Sequence, residues 1–106
     1  MTRRPVVLHP EVEHDLAAAF GHYEQFDPAL PDRFEARLDE QIERIEMYPE
    51  SGSVLFEAYR RVLLSRFPYM VIYIVRQDRI DVLAVLNTRR DPARIEADVV
   101  ERSERP

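Results

Sequence analysis

The chain has 106 residues, 45% of them hydrophobic and 33% charged, and a formal net charge of −5. That length suits one domain, residues 1–106, with a core of its own that buries roughly 65% of the unfolded surface. The lack of cysteine excludes disulfides and thiolate metal sites, no stretch approaches the ~20 apolar residues that span a bilayer, and an acidic balance argues against non-specific binding to a phosphate backbone.

Met1-Thr2-Arg3-Arg4 is basic, but only Val6-Val7-Leu8 follows, too short for the apolar region of a signal peptide, so a cytoplasmic chain is expected. Val6 to Leu8 reads as a short strand. Pro10 suits the first turn of a helix, and Val12, Leu16, Ala19, Phe20 and Tyr23 recur at helical spacing to about Phe26. Asp27-Pro28-Ala29-Leu30-Pro31 is turn chemistry. A second helix follows, with Phe34, Leu38, Ile42 and Ile45 on one face, an outer face carrying a Glu40–Arg44 pair, and Pro49 at its end. The short connection makes the two an antiparallel hairpin. Glu50 to Val54, with Gly52, reads as a loop.

Val62–Leu64, Tyr69–Val75 and Ile80–Leu86 are runs rich in β-branched and aromatic residues, separated by Phe67-Pro68 and by Arg76-Gln77-Asp78-Arg79. They predict a three-stranded antiparallel meander whose central strand is buried on both faces. With Gln77 and Asp78 as loop residues, Arg76 faces Arg79, Tyr69 falls opposite Leu86, and Pro68 opposite Asn87. Arg66, Tyr69, Asn87, Arg89 and Arg90 then converge at one end of the sheet, while Arg60, Arg61, Arg76 and Arg79 fall toward the other. A one-residue slip would turn each side chain to the opposite face.

Asp91-Pro92 has the form of an N-cap followed by proline at the first helical position. Ala93 to about Arg102 is expected to form a short charged helix, with Arg94–Asp98 and Asp98–Arg102 pairs. Its apolar face is thin, which fits loose docking or packing on a partner, and Ser103 to Pro106 reads as a frayed end. The predicted fold is α+β: a small antiparallel sheet, made of the short N-terminal strand and the C-terminal meander, packed against the helical hairpin, with a short C-terminal helix. The apolar character of both faces of the central strands favours a partner over the second face.

All fifteen basic residues are arginine, which favours planar, two-pronged contacts to carboxylate or phosphate. The acids concentrate in Glu11 to Glu57 and in the tail, so Arg60 to Arg90 is a basic zone on an acidic chain. Arg60 and Arg61 alternate across a strand, so only one of them meets a given surface. Tyr69 reads first as a packed ring and Asn87 as a turn or cap residue. His9 and His14 are five positions apart, which is not the spacing of a two-histidine zinc helix, and no glycine-rich phosphate loop is present. No metal and no cofactor are expected.

In order along the chain, HPEVEHDLAAAFGHYE, RFEARLDEQIERIEMYPE, RRVLLSRFPYMVIYIV and IDVLAVLNTRRDPARI together resemble the RelE/ParE superfamily of toxins from type II toxin–antitoxin modules, and most closely the ParE-like branch, often called plasmid stabilisation proteins. The resemblance implies a cognate antitoxin whose C-terminal segment wraps the toxin. It also implies one of two targets. RelE-like members cleave mRNA on the ribosome; ParE-like members poison DNA gyrase. The cleaving branch places an arginine on the strand after the position of Tyr69, where this chain has Met70, and often a late tyrosine or histidine, which this chain lacks after Asn87. The usual histidine of the HGRRD or HTRRD motif is Asn87, although Arg89 and Arg90 match. The expectation is therefore a growth-inhibiting toxin that acts on gyrase by protein contact and is not an enzyme. Arg60, Arg61, Arg66, Asn87, Arg89 and Arg90 are the candidates for target or antitoxin binding. Direct nucleic-acid binding by the toxin alone is not expected. Two alternatives stand beside it: a ribosome-dependent mRNA endonuclease using Arg66, Tyr69, Arg89 and Arg90, and a non-toxic module kept for antitoxin binding and autoregulation.

Overall fold

The computed structural model describes residues 3–105. Met1, Thr2 and Pro106, the last of these part of the expected frayed end, lie outside them. The order is β1 (Val6–Leu8), α1 (Pro10–Glu24), α2 (Leu30–Met47), β2 (Ser53–Phe56), β3 (Tyr59–Leu63), β4 (Tyr69–Val75), β5 (Ile80–Asn87) and α3 (Pro92–Glu104). The sheet runs β1-β5-β4-β3-β2. The expected α+β architecture is present, with two differences. β1 pairs with β5 in parallel, Val6 opposite Ile80, so the sheet is mixed and not purely antiparallel. A fifth strand, β2, takes the last two residues of the expected Glu50–Val54 loop, Ser53 and Val54, and continues to Phe56. It is short, lies at the sheet edge and skips a residue between Val54 and Phe56, so it carries no clean alternation.

α1 and α2 form the hairpin on one face. Val12, Ala19, Phe34, Leu38 and Ile45 are buried against Val62, Val71, Tyr73, Val82 and Val85. Truncating Phe34, which is fully buried, to alanine would cost ~3–5 kcal/mol. His9 caps α1: its Nδ1 accepts from Glu11 N–H at 3.0 Å, while Nε2 lies 2.6 Å from the Arg105 carbonyl. Those two partners select the neutral tautomer with the proton on Nε2.

The second face is covered by the chain itself over its central strands. α3 buries Ile95 and Val99 against Met70, Ile72, Leu83, Ala84 and Leu86. Asp91 caps it as expected, accepting from Ala93 N–H at 3.0 Å. The helix outruns the expected boundary: Ser103 and Glu104 are helical, and Ser103 Oγ is 3.2 Å from Arg76. The expected within-helix pairs give way to pairs with other elements, Arg90–Asp98 at 3.1 Å and Arg102–Asp15 at 2.6 Å. On α2, Glu40 pairs with Arg37 at 2.9 Å.

Candidate functional site

The loop end of the hairpin follows expectation. Arg76 N–H donates to the Arg79 carbonyl, and Val75 lies opposite Ile80. Between Ile72 and Tyr73 the register shifts, because β5 carries an extra residue there: Tyr73 faces Val82, and Ile72 faces Ala84. Leu83 is the bulged residue, and Leu83 and Ala84 both pack on the α3 face. Beyond the bulge, Tyr69 therefore faces Asn87 and not Leu86. The expected register was one residue off at this end because a two-residue loop counted without a bulge cannot show the insertion.

Asn87 lines a depression of about 440 Å³ together with Asp15, Ala18, Tyr69, Arg89 and Arg90. Its Oδ1 accepts from Arg89 N–H at 2.8 Å, and its carbonyl accepts from Arg90 N–H at 3.2 Å. Asn87 is thus a turn residue that fixes where both arginines leave the sheet. The Arg90 guanidinium is partly neutralised by Asp98. Arg89 is exposed and makes no ion pair among the described residues. Tyr69 is buried, its ring 5.0 Å edge-on from Phe34 and 6.0 Å from Tyr23. Burial, and secondly the neighbouring Tyr69, push the Tyr23 hydroxyl above the ordinary phenol range, with Arg89 opposing.

Arg66 shares this end of the sheet but opens on another side. Its depression, about 500 Å³, is lined by Tyr23, Arg33, Arg37, Phe67 and Pro68. Tyr23, which lines it, packs edge-on against Phe67 at 5.0 Å and tilted against Tyr69 at 6.0 Å. Arg66 has φ of +70°, a left-handed conformation that costs a side-chain-bearing residue ~1–2 kcal/mol.

Arg60 and Arg61 do alternate. Arg60 turns to the hairpin face and closes the 50–52 turn, donating to the Gly52 carbonyl at 2.7 Å and to Glu50 at 3.3 Å. Tyr73 completes that clasp. Its hydroxyl donates to the Pro49 carbonyl at 2.7 Å and accepts from Gly52 N–H at 3.0 Å. Burial holds the Tyr73 hydroxyl above its usual range. Arg61 turns to the α3 face, where its Nη1 lies 3.9 Å from Met70 Sδ. There it lines a groove with Leu55, Phe56, Ile95 and Arg90. The expected grouping of Arg61 with Arg76 and Arg79 does not hold. Those two converge on Asp81, each Nε at 2.8 Å. Their hydrogen bonds outweigh the desolvation of Asp81 and hold its carboxyl below the usual range.

Sequence reasoning missed one pair. Asp15 and Arg102 bind each other with both prongs, at 2.6 and 3.0 Å. The signal was there: Asp15 falls in the apolar stripe Val12, Leu16, Ala19, and Arg102 continues the stripe Ile95, Val99. A charge within a buried stripe calls for a partner.

A mixed sheet between a helical hairpin and a short helix, with an end lined by Arg89 and Arg90, defines a small layered α+β protein. The family described as the ParE toxin of the type II toxin–antitoxin system, parDE, matches residues 6–92. Toxin ParE2 of Mycobacterium tuberculosis, in strains CDC 1551 / Oshkosh and ATCC 25618 / H37Rv, is 36% identical over 100 residues, 93% of this chain and 94% of the relative. A solved structure described as the chromosomal ParDE TA system from P. aeruginosa has a similar fold, with a TM-score of 0.71 at 18% identity, covering 80% of this chain and 96% of that one. The chain belongs to the ParE family of toxins from type II toxin–antitoxin systems. Among the described residues no helix is long and apolar enough to cross a membrane.

Proposed function

We propose that this toxin is held inactive by a cognate antitoxin and, when free in the cytoplasm, inhibits DNA gyrase by protein–protein contact. The observation that carries the choice of target is the chemistry of the Asn87 end. Cleavage of RNA needs groups that take a proton from a ribose hydroxyl and return one to the leaving oxygen. Here Met70 is buried where the cleaving branch carries an arginine, and the Asn87 side chain is committed to Arg89 N–H. The Asp15 carboxylate is committed to Arg102. What remains at the surface is guanidinium, a recognition group.

The α3-face groove supports the antitoxin half of the reading. Half-buried Leu55 and Phe56 supply apolar surface, the buried Met70 and Ile95 back the same groove, and Arg61 and Arg90 also line it. That combination fits an acidic, apolar segment laid across the sheet and α3. Arg89 and Arg66, exposed at the sheet end, are left to the target, while Arg60 serves the fold.

The test is a supercoiling assay with purified gyrase, run beside sequencing of transcript ends after induction in cells. Loss of supercoiling activity, with DNA synthesis halting first and transcripts intact, is expected. Transcript cleavage with unimpaired gyrase would overturn the reading.

A further inference from the structure

The depression at Arg66 gathers three arginines from two elements, Arg33 and Arg37 on α2 and Arg66 in the β3–β4 turn. Among the described residues only Arg37 has a carboxylate partner, Glu40 at 2.9 Å; neither Arg33 nor Arg66 lies within ion-pair distance of an acid. Leu30, Phe67 and Pro68 supply its apolar lining. Arg66 reaches this place through a backbone conformation that a side-chain-bearing residue rarely adopts, φ +70°. Strained conformations of this kind gather where a side chain has a task.

We infer that this depression is a docking site for an acidic polypeptide segment bearing an aromatic or large apolar anchor, and that the segment belongs to the toxin's target and not to its antitoxin. Carboxylates of such a segment would meet the forked guanidinium groups, and the anchor would pack on the apolar surface of Leu30, Phe67 and Pro68. A nucleic acid fits less well. The chain carries a net charge of −5, and the α2 surface beyond the three arginines presents Glu35, Asp39 and Glu43. A phosphate chain longer than the patch would meet those acids, whereas a short acidic segment needs only the local charge. Continuity decides between target and antitoxin. Pro68, which lines this depression, accepts from Thr88 N–H at 2.8 Å, and Tyr23 packs 6.0 Å from Tyr69, so the patch adjoins the end of the sheet assigned above to the target. The groove assigned to the antitoxin lies on the α3 face and shares no lining residue with it. The inference rests on the target being a protein, as proposed above.

Two experiments test it. The first titrates the isotope-labelled full chain with an acidic peptide of Glu and Asp residues around one Trp, and with a single-stranded oligonucleotide of equal charge. The peptide is expected to shift the amide signals of Arg33, Arg37, Arg66 and Phe67. Its affinity should fall at least tenfold in Arg33→Glu/Arg66→Glu, with Arg33→Gln/Arg66→Gln intermediate and both variants retaining the wild-type helical spectrum. Tighter binding of the oligonucleotide at the same signals would overturn the polypeptide assignment, and no shift from either probe would overturn the site. The second compares wild type with Arg33→Gln/Arg66→Gln for inhibition of gyrase. A tenfold weaker variant is expected, and a variant as potent as wild type would overturn the role in target binding. If the wild type itself leaves gyrase active, the gyrase reading falls, and the peptide titration decides the site alone.

Discussion

Asp15 on α1 and Arg102 on α3 together act as a substitute for a missing strand residue. β1 ends at Leu8 opposite Val82, so the next edge groups of β5 have no strand to pair with. Asp15 Oδ2 accepts from Val85 N–H at 3.0 Å, and Arg102 Nη1 donates to the Leu83 carbonyl at 3.0 Å. The same two side chains close on each other at 2.6 and 3.0 Å. One ion pair thereby serves the backbone around the Leu83 bulge and ties helices from both layers to β5. Burial alone would disfavour the Arg102 charge, yet the Asp15 contact holds it above the ordinary arginine value.

Removing one partner should therefore be severe. The side chains are only 13% and 7% exposed, so Arg102→Met leaves a carboxylate nearly buried without its counter-charge, and a loss of about 3–5 kcal/mol in urea unfolding is expected. Asp15→Asn should fall in the same range. The double variant Asp15→Asn/Arg102→Met should lose clearly less than the sum of the two, because the stranded charge is gone. Strict additivity would mean that the pair is not coupled.

Gly52 and Tyr73 make a second testable couple. A Cβ at position 52 would sit 2.5 Å from the Tyr73 hydroxyl oxygen and 2.8 Å from the Arg61 carbonyl. Gly52→Ala must displace backbone as well as side chain, and a cost of about 1–3 kcal/mol is expected. Tyr73→Phe should lose about 1 kcal/mol for each of its two hydrogen bonds. In Gly52→Ala/Tyr73→Phe the hydroxyl clash is absent, so thermal unfolding should show the double variant more stable than additivity allows.

What could be read from the sequence follows from where the physical signal lies. The helical stripes of α1 and α2 and the runs of β4 and β5 are long, and their burial repeats often enough to show the period. β2 is four residues at an edge, too short for a period. The bulge at Leu83 cannot be seen from β5 alone, because it exists only relative to Ile72 and Tyr73 across the ladder. For the site, Tyr69, Asn87, Arg89 and Arg90 were correctly brought together because they are adjacent through one hairpin. Arg61 was misplaced because strand position fixes where a Cβ leaves the sheet, while a long arginine reaches several ångströms along it.

Asp81 sets an acid-side dependence. Although partial burial opposes ionisation, the hydrogen bonds from Arg76 and Arg79 lower its folded-state pKa below the unfolded value. Its contribution to stability is thus complete above the ordinary carboxylate range and is lost as pH falls through the lowered value. Asp81→Asn should be less stable than wild type at pH 7. The gap should narrow as the pH drops below the unfolded aspartate value of 3.8. Melting temperatures across that range test this, and a gap that widens on acidification would contradict it.

Arg66→Gly separates strain from recognition. Arginine at φ +70° carries ~1–2 kcal/mol of left-handed strain that glycine does not. Against this, glycine adds backbone freedom to the unfolded chain, worth roughly 0.5–1 kcal/mol. Arg66 is exposed and makes no ion pair among the described residues, so its loss removes no buried contact. The glycine variant should therefore melt at or slightly above the wild-type temperature. Arg66→Ala, which keeps a Cβ and hence most of the strain, should melt below the glycine variant. Both remove the guanidinium and should weaken inhibition of the target to a similar degree. A strained position at which glycine is at least as stable, yet less potent, would mean that the side chain is held there for recognition. If the glycine variant melts well below wild type, the Ser65–Pro68 turn depends on Arg66 for its shape.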